Sequence, residues 1–304
     1  MQPAVDVIIP TRDTRDTTLC CVEALVGDEG VDVSCVLVDN GSADGTAVAV
    51  AARWPDVDLL RSDSDTGYGR ACNLGAARGS AEFVLFLNSD AIARPGALRH
   101  LVSFLAERPR HVVAGGRLVD VGTDRPQVGF AIRGFPSLAN QVALMVGIER
   151  YWPRNPISRR QLMLDFDYGR TQDIDAQPAG ACLLCRRADF EAVGGFDESF
   201  HYWFEDVDLV RRLRERGSIG YVHDAAFEHI GGGTFRQWSR QEVVTTRYRS
   251  LIRYFSKHHP TREVLALRFV IGALALLRAV LLVGVDRQGA RAYAKVVGLA
   301  LRGA

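Results

Sequence analysis

The chain has 304 residues, 47% hydrophobic and 24% charged, a composition that excludes a disordered or fibrous protein and allows one large α/β domain or two average ones. Its 37 basic and 36 acidic residues leave a net charge of +1, so nothing draws the whole molecule to nucleic acid, and any anion recognition has to be local. Six irregularly spaced cysteines are no disulfide framework and read as a reduced, cytosolic set.

In chain order, Val5 to Pro10 is a short apolar strand; it contains Asp6 and runs into Arg12, Asp13, Arg15 and Asp16, which excludes a signal peptide. A helix over Thr17 to Leu25 follows, then a strand over Ser34 to Asp39 that ends in V-D-N-G-S-A-D-G-T at 38–46. Asp39 at that strand end can accept hydrogen bonds from a nucleobase or ribose, and the turn behind it allows close backbone approach. A dinucleotide-binding oxidoreductase is disfavoured, because the first turn, Thr11 to Asp16, has no glycines to admit a pyrophosphate. A helix over Asp44 to Arg53, a strand over Val57 to Leu60, a helix over Gly67 to Ala77 and a strand over Glu82 to Leu87 continue the alternation. Asn88-Ser89-Asp90 then closes the most apolar strand, placing Asp90 where a carboxylate can hold a divalent ion against a diphosphate. A helix over Pro95 to Glu107 and a strand over His111 to Ala114 complete the pattern of an open, mostly parallel sheet, whose ligands gather at the carboxyl ends of its strands.

From Gly116 to Asp175 the regularity fades into a proline-interrupted, aromatic-rich insert, read as local core or as a lid over substrate. Ala179 to Cys185 reads as a strand; Cys182 and Cys185 form a lone C-x-x-C and are expected to be plain buried side chains. A helix over Arg187 to Val193 and the Gly194-Gly195 turn lead through Phe200-His201-Tyr202-Trp203 to a helix over Glu205 to Glu215. Its first turn carries Glu205, Asp206 and Asp208, which the helix dipole favours in any case; they cannot all face one cleft, but one in an aromatic-walled pocket can act as general base. His229 stands before a glycine run, Gly231 to Gly233, able to close over phosphate, and is a candidate ligand.

The last forty residues differ in kind. Val264 to Gly284 is nearly all apolar, but Arg268 and Arg278 interrupt it, which disfavours a simple membrane span. The preferred reading is a helix in the cytoplasmic membrane face, with Arg262, Arg278, Arg287 and Arg291 available to anionic headgroups; the alternative is a helix docked on the domain or in a homodimer interface.

Taken together, I-I-P-T-R-D at 8–13, the 38–46 motif, G-Y-G-R-A-C-N-L-G at 67–75, N-S-D at 88–90, G-G-F-D-E-S-F at 194–200 and F-E-D-V-D-L at 204–209 resemble family 2 glycosyltransferases, most of all the bacterial rhamnosyltransferase-like branch. The resemblance spans about residues 4–235. It implies a GT-A fold over 1–240, with a nucleotide-sugar half (1–115) and an acceptor half (116–240), followed by a helical extension over 241–304. It further implies a nucleotide-diphosphate-sugar donor, a divalent Mg2+ or Mn2+ and inversion at the anomeric carbon. Carried over by position, Pro10, Thr11, Asp13 and Asp39 would line the nucleotide pocket, Arg70, Asn73, Asn88 and Ser89 would lie near the donor, Asp90 and His229 would hold the metal, and Asp206 would be the base. Glu205 and Asp197 are the next candidates for the base. Asn88 departs from the usual D-x-D metal motif, which keeps only its last Asp here. The expected activity is transfer of a sugar, with dTDP-rhamnose first among several dTDP and UDP donors, to a saccharide or lipid-linked acceptor in cell-envelope polysaccharide synthesis, in the cytoplasm at the membrane's inner face. A non-catalytic GT-A-like subunit that binds nucleotide sugar or glycolipid is the alternative.

Overall fold

The structure is a computed structural model that describes residues 3–26, 30–231 and 238–303. Elements follow in the order β1 (Ala4–Thr11), α1 (Arg15–Val26), β2 (Asp32–Asn40), α2 (Thr46–Arg53), β3 (Asp58–Ser62), α3 (Tyr68–Ala76), β4 (Phe83–Leu87), β5 (Ala91–Ala93), α4 (Ala97–Ala106) and β6 (His111–Val119). Then come β7 (Ile132–Arg133), α5 (Leu138–Val146), α6 (Ile148–Tyr151), α7 (Pro156–Gln161), β8 (Gln172–Ile174), β9 (Gln177–Pro178), β10 (Cys182–Arg186), α8 (Arg187–Ala192), α9 (Glu205–Arg214) and β11 (Ser218–His229). The chain closes with α10 (Arg240–His258), α11 (Thr261–Leu282) and α12 (Arg287–Arg302).

The main sheet runs β3-β2-β1-β4-β10-β6-β11-β5, with β8 on the flank of β11. β1 pairs in parallel with β2 and β4, β2 with β3, and β6 with β11, whereas β10 is antiparallel to both β4 and β6. One reversed strand therefore sits in the middle. Its consequence is positional: β1, β2, β4, β6 and β11 all end at one edge, and β10 begins there. Thr11, Asn40, Asn88, His229 and the Ala179–Ala181 segment are brought to a single rim by backbone direction alone.

The two faces of the sheet bury separate apolar clusters. Val5, Val7, Ile9 and Leu85 pack beneath α1 and α4, while Ile8, Val84 and Phe86 pack with α3, α8 and α9. Residue alternation along the strands assigns each side chain to its layer. Cys182 and Cys185, three positions apart on β10, consequently fall into opposite clusters and are buried free thiols, which agrees with their reading as plain core residues. In the insert, Phe166 and Tyr168 pack edge-on against Tyr221 as core, but Tyr151 and Trp152 are exposed.

The C-terminal helices form a third cluster with α5 and the start of α9, through Met145, Val207, Leu251, Phe255, Leu267, Ile271 and Val296. α11 is long and apolar enough to cross a membrane by length and composition. It is, however, packed along one side by α12, α10 and α5. Both of its interrupting arginines turn to that side. Arg268 donates to the carbonyls of Ala300 and Leu301, capping the end of α12, and Arg278 donates to the Met145 carbonyl and to Tyr248 Oη. Arg278 is thus held by the protein rather than available to headgroups, a correction to the sequence reading.

Candidate active site

A cleft of about 390 Å³ opens at the rim, lined by Pro10, Thr11, Arg12 and Asn40 from the first strands, by Asn88, Ser89 and Asp90 after β4, by Phe130, Arg133, Gln177 and Gly180, and by Trp203, Glu205, Asp206 and Arg247. Donor-side and acceptor-side motifs more than a hundred residues apart share one cavity. Among the described residues it is the place where the fold concentrates functional polar groups at strand ends, as open α/β sheets do.

On the donor side, Asp39 does not line the cleft but is buried behind Asn40; its Oδ1 accepts the amide of Ser42 at 2.8 Å, and its Oδ2 has no hydrogen-bond partner, with Arg61 nearby at 3.5 Å. A buried carboxylate oxygen left in that state suits an imide or hydroxyl donor from a ligand. Asp13 adopts a left-handed φ of 50° and accepts the amide of Ala43 at 2.7 Å, so it ties the β1 loop to the β2 loop. Thr11 and Ser89 both hydrogen-bond Thr14, joining the loops after β1 and β4. Asp65, which no motif singled out, gathers Arg12, the Asn40 amide, the Gly67 N–H and Tyr202 Oη on one carboxylate.

Arg70 and Asn73 stand apart from the cleft. Asn73 grips the Phe196 backbone in both directions at 2.9 Å and Glu198 at 3.0 Å, and Arg70 lies 3.8 Å from the same Glu198. Their work in this structure is to seat the G-G-F-D-E-S-F loop on α3. The family resemblance implies that they lie near the donor; in the structure it is Tyr68 of their motif that lines the cleft, its hydroxyl donating to the Gly180 carbonyl at 2.8 Å.

Asp90 and His229 meet. Asp90 Oδ2 accepts the Gly231 amide at 2.9 Å, and Oδ1 lies 3.4 Å from His229 Nε2. Burial opposes the charge on Asp90, but His229 and the Gly231 amide outweigh it and hold the carboxyl below its ordinary range. Gln127 fixes the imidazole: its Nε2 donates to the His229 carbonyl, so its Oε1 faces Nδ1 at 2.9 Å and accepts that N–H. His229 Nε2 is left buried with no hydrogen bond, and Phe130 stacks on the ring at 5.0 Å. A carboxylate oxygen beside an open imidazole nitrogen is a chemically suitable pair of ligands for a divalent ion. Among the described residues no cluster of three His, Cys, Asp or Glu completes such a site. Of the glycine run, residues 232–237 lie outside the described residues.

Opposite, α9 begins abruptly. Trp203 and Phe204 both take left-handed φ values, 64° and 70°, which L side chains rarely adopt, and this kink turns Glu205 and Asp206 into the cleft. Asp206 Oδ2 accepts the Gly180 amide at 2.9 Å and Oδ1 accepts the Val207 amide at 2.8 Å. Burial raises its pKa, while these amides and the charge of Arg133 pull the other way. Glu205 is shifted up further, by burial and by the neighbouring Asp206, and its Oε2 has no partner. Of this pair, Glu205 is the one whose charge is opposed the more, and Asp206 has the amides and Arg133 that favour ionisation.

The remaining acidic candidates are directed elsewhere. Asp208 is fully buried on the far side of α9, bonded to Arg212, Lys257 and His258. Asp197 is paired with Lys257 at 2.7 Å and hydrogen-bonded by Ser199, and its pKa is lowered to about 2 despite partial burial. Neither lines the cleft, which corrects the place of Asp197 among the candidate bases.

Residues 6–163 match the model of Glycosyl transferase family 2. The chain belongs to that family. Residues 160–232 of this glycosyltransferase also match the family described as N-terminal domain of galactosyltransferase. Its sequence is 35% identical over 212 residues to the N-acetylglucosaminyl-diphospho-decaprenol L-rhamnosyltransferase of Mycobacterium tuberculosis, a match covering 65% of this chain and 66% of that protein. It is 29% identical over 223 residues to the O-antigen biosynthesis protein RfbC of Myxococcus xanthus, covering 71% of this chain and 16% of that one. Thus the chain spans just under two thirds of the first relative and a small part of the second. In three dimensions it resembles the mannosyltransferase PcManGT of Pyrobaculum calidifontis, solved with GDP-Man and Mn2+, at a TM-score of 0.55 and 16% identity over 100% of this chain and 77% of that one. It also resembles TarS of S. aureus, solved with UDP, at 0.53 and 15% identity over 99% and 92%. The glycosyltransferase has a GT-A fold and sides with the rhamnosyltransferase-like branch of its family.

Proposed function

We propose that the chain is an inverting, metal-dependent glycosyltransferase that moves rhamnose from dTDP-rhamnose to a hydroxyl of a lipid-linked saccharide in cell-envelope polysaccharide synthesis. The observation that carries this reading is the meeting in one cleft of Asp90, backed by His229 at 3.4 Å, with the Asp206 carboxylate. A nucleotide is held by the β1 and β2 loops, with Asp39 Oδ2 accepting the imide N–H of the pyrimidine. Asp90 and His229 hold a divalent ion, which supplies neutralisation of the leaving diphosphate; the Mn2+ bound by the Pyrobaculum neighbour supports this. Asp206 takes the proton of the acceptor hydroxyl as that oxygen attacks the anomeric carbon from the side opposite the diphosphate. The buried Glu205 is less suited to the role because burial and the neighbouring Asp206 both oppose its charge. Positioning of donor and acceptor in the cleft contributes the larger part of the acceleration. Incubation of the full chain with dTDP-rhamnose and UDP-sugars, with Mg2+ or Mn2+, identifies the donor by release of its nucleotide diphosphate. Release from dTDP-rhamnose that requires an acceptor supports the reading, and binding of a donor without turnover identifies a non-catalytic subunit instead.

The lipid-linked acceptor is supported by the name of the mycobacterial relative and by α11. With one side of α11 occupied by its own domain, its outer side exposes Leu265, Phe269, Leu276, Leu277, Val280 and Leu281 with no charge among them. Arg287, Arg291 and Lys295 on the adjoining α12 are exposed and unpaired among the described residues. An apolar face bordered by free cations suits the anionic surface of a membrane, at which the helix lies without spanning. Co-sedimentation with vesicles containing phosphatidylglycerol, weakened by Phe269→Asp and by high salt, supports the surface reading; a concentration-dependent dimer that ignores vesicles indicates an interface between copies.

A further inference from the structure

Arg133 and Arg247 line the acceptor side of the cleft without a carboxylate partner. Arg133, on β7, is largely enclosed; its Nε donates to the Gly129 carbonyl, which fixes the stem and leaves the outer nitrogens of the guanidinium free. Arg247, near the middle of α10, is exposed and makes no ion pair or hydrogen bond among the described residues. The charged groups that act on Arg133 are Arg247, which opposes its charge, and Asp206, which favours it. Two guanidinium groups therefore line one cavity, the enclosed Arg133 with Asp206 as its acidic neighbour and the exposed Arg247 at the same wall. Such an arrangement is repulsive in the free protein and becomes favourable when an anion with several oxygens bridges the pair. Asp90, which is read as holding the ion for the donor's diphosphate, lines the same cavity, so the pair is assigned to a second anion, on the side of Asp206.

We propose that Arg133 and Arg247 form a subsite for the diphosphate of the acceptor, on the Asp206 side of the cleft. The proposal rests on the lipid-linked acceptor reading above and adds the residues that recognise its anionic link. A sugar whose hydroxyl faces Asp206 carries its diphosphate one ring away, where the two arginines stand, and the lipid then leads outward along α10 toward α11. The arginines act on binding and orientation, so they are positioning residues rather than proton carriers.

Calorimetric titration of the full chain with inorganic pyrophosphate in EDTA tests the subsite without any turnover. The wild type and Asp90→Ala are expected to bind alike, Arg247→Gln to bind about tenfold more weakly, and Arg133→Gln/Arg247→Gln not to bind measurably. Arg247 is exposed, so its single variant keeps the test valid if the double variant fails to fold. In transfer assays Arg247→Gln should raise the KM for a diphosphate-bearing acceptor about tenfold, leaving the KM for donor unchanged. No binding by the wild type in EDTA, or binding untouched by Arg247→Gln, overturns the subsite; an equal rise in the KM for donor in Arg247→Gln overturns it by placing the anion at the donor end. Arginine-dependent pyrophosphate binding in a protein that transfers to no lipid-linked acceptor retains the subsite and rejects the acceptor reading.

Discussion

The carboxylate of Asp206 rests on the main-chain amide of Gly180, 2.9 Å away, so that the start of α9 and the approach to β10 together define where the candidate base points. Asp206→Asn preserves this shape but cannot accept the hydroxyl proton. Transfer should fall by about 10²- to 10⁴-fold while the affinity for donor, followed by calorimetry, stays within about twofold of wild type. Full turnover by this variant removes Asp206 from the role.

Gly180 tolerates no side chain. A Cβ built on it lies 2.8 Å from Asp206 Cβ and 3.0 Å from Oδ2. Gly180→Ala should displace the carboxylate and lower kcat by roughly tenfold or more through misplacement, with donor KM little altered and a lowered melting temperature that still leaves the protein folded under assay conditions. Steady-state kinetics beside a melting curve separates this from a folding defect.

The pH dependence follows from the surroundings of the acidic pair. Burial raises the Asp206 pKa, so the rate should climb with pH as the carboxyl ionises, along an acidic limb above the ordinary aspartate range. Arg133 favours the ionised form; Arg133→Gln should therefore move that limb to higher pH. Burial and Asp206 push the Glu205 pKa higher still, so Glu205→Gln should leave the limb in place. A limb that disappears in Glu205→Gln instead assigns the titration to Glu205.

The Asp208 cluster predicts stability. Arg212 binds one oxygen at 2.7 Å, while Lys257 and His258 reach the other at 2.8 and 2.7 Å. Asp208→Ala should destabilise the protein by about 3 kcal/mol, because it leaves the largely buried Arg212 and His258 without their carboxylate, whereas Lys257 keeps Asp197. The partners lower the Asp208 pKa against the effect of burial, so its contribution is complete above the ordinary aspartate pKa and is lost as pH falls through the depressed value. Urea unfolding of wild type and variant should converge at strongly acidic pH.

Metal use is testable at the open imidazole. His229→Ala and Asp90→Ala should each abolish stimulation of transfer by Mn2+, whereas Asn88→Asp, which restores two acidic positions, should lower the Mn2+ concentration needed. Transfer that persists in EDTA and in Asp90→Ala shows the pair to be structural.

The first half of the fold was legible because β1, β2, β3, β4 and their helices alternate in period, and each strand is a short apolar run. β11 was not, although it has twelve residues: His223 and Asp224 interrupt it where the register slips between Val222 and Ala226, and the alternation is lost there. Helices α5, α6 and α7 were hidden among the prolines and aromatic residues of the insert. At the site, Asp39, Asp90 and Asp206 stand in short motifs at element ends and could be read directly. Arg133, Arg247 and Asp65 stand in no motif; chain direction alone brings them to the rim. Asn73 shows the opposite error, a polar residue inside a recognisable motif whose amide serves a neighbouring loop.

The Asp208 cluster also fixes where the chain can be shortened. Lys257 and His258 belong to α10, yet their partner lies in the helix that carries Asp206. A truncation before α10 would strip Asp208 of two counterions, empty the apolar cluster beside Val207, and loosen the very turn that aims the base. Removal of α11 and α12 alone, after His259, spares the ion pairs of Asp208 but takes Leu267, Ile271 and Val296 out of that cluster. The tail of the protein is accordingly two parts with different duties: a buttress that the catalytic helix needs, and beyond it a pair of helices that can be tested separately.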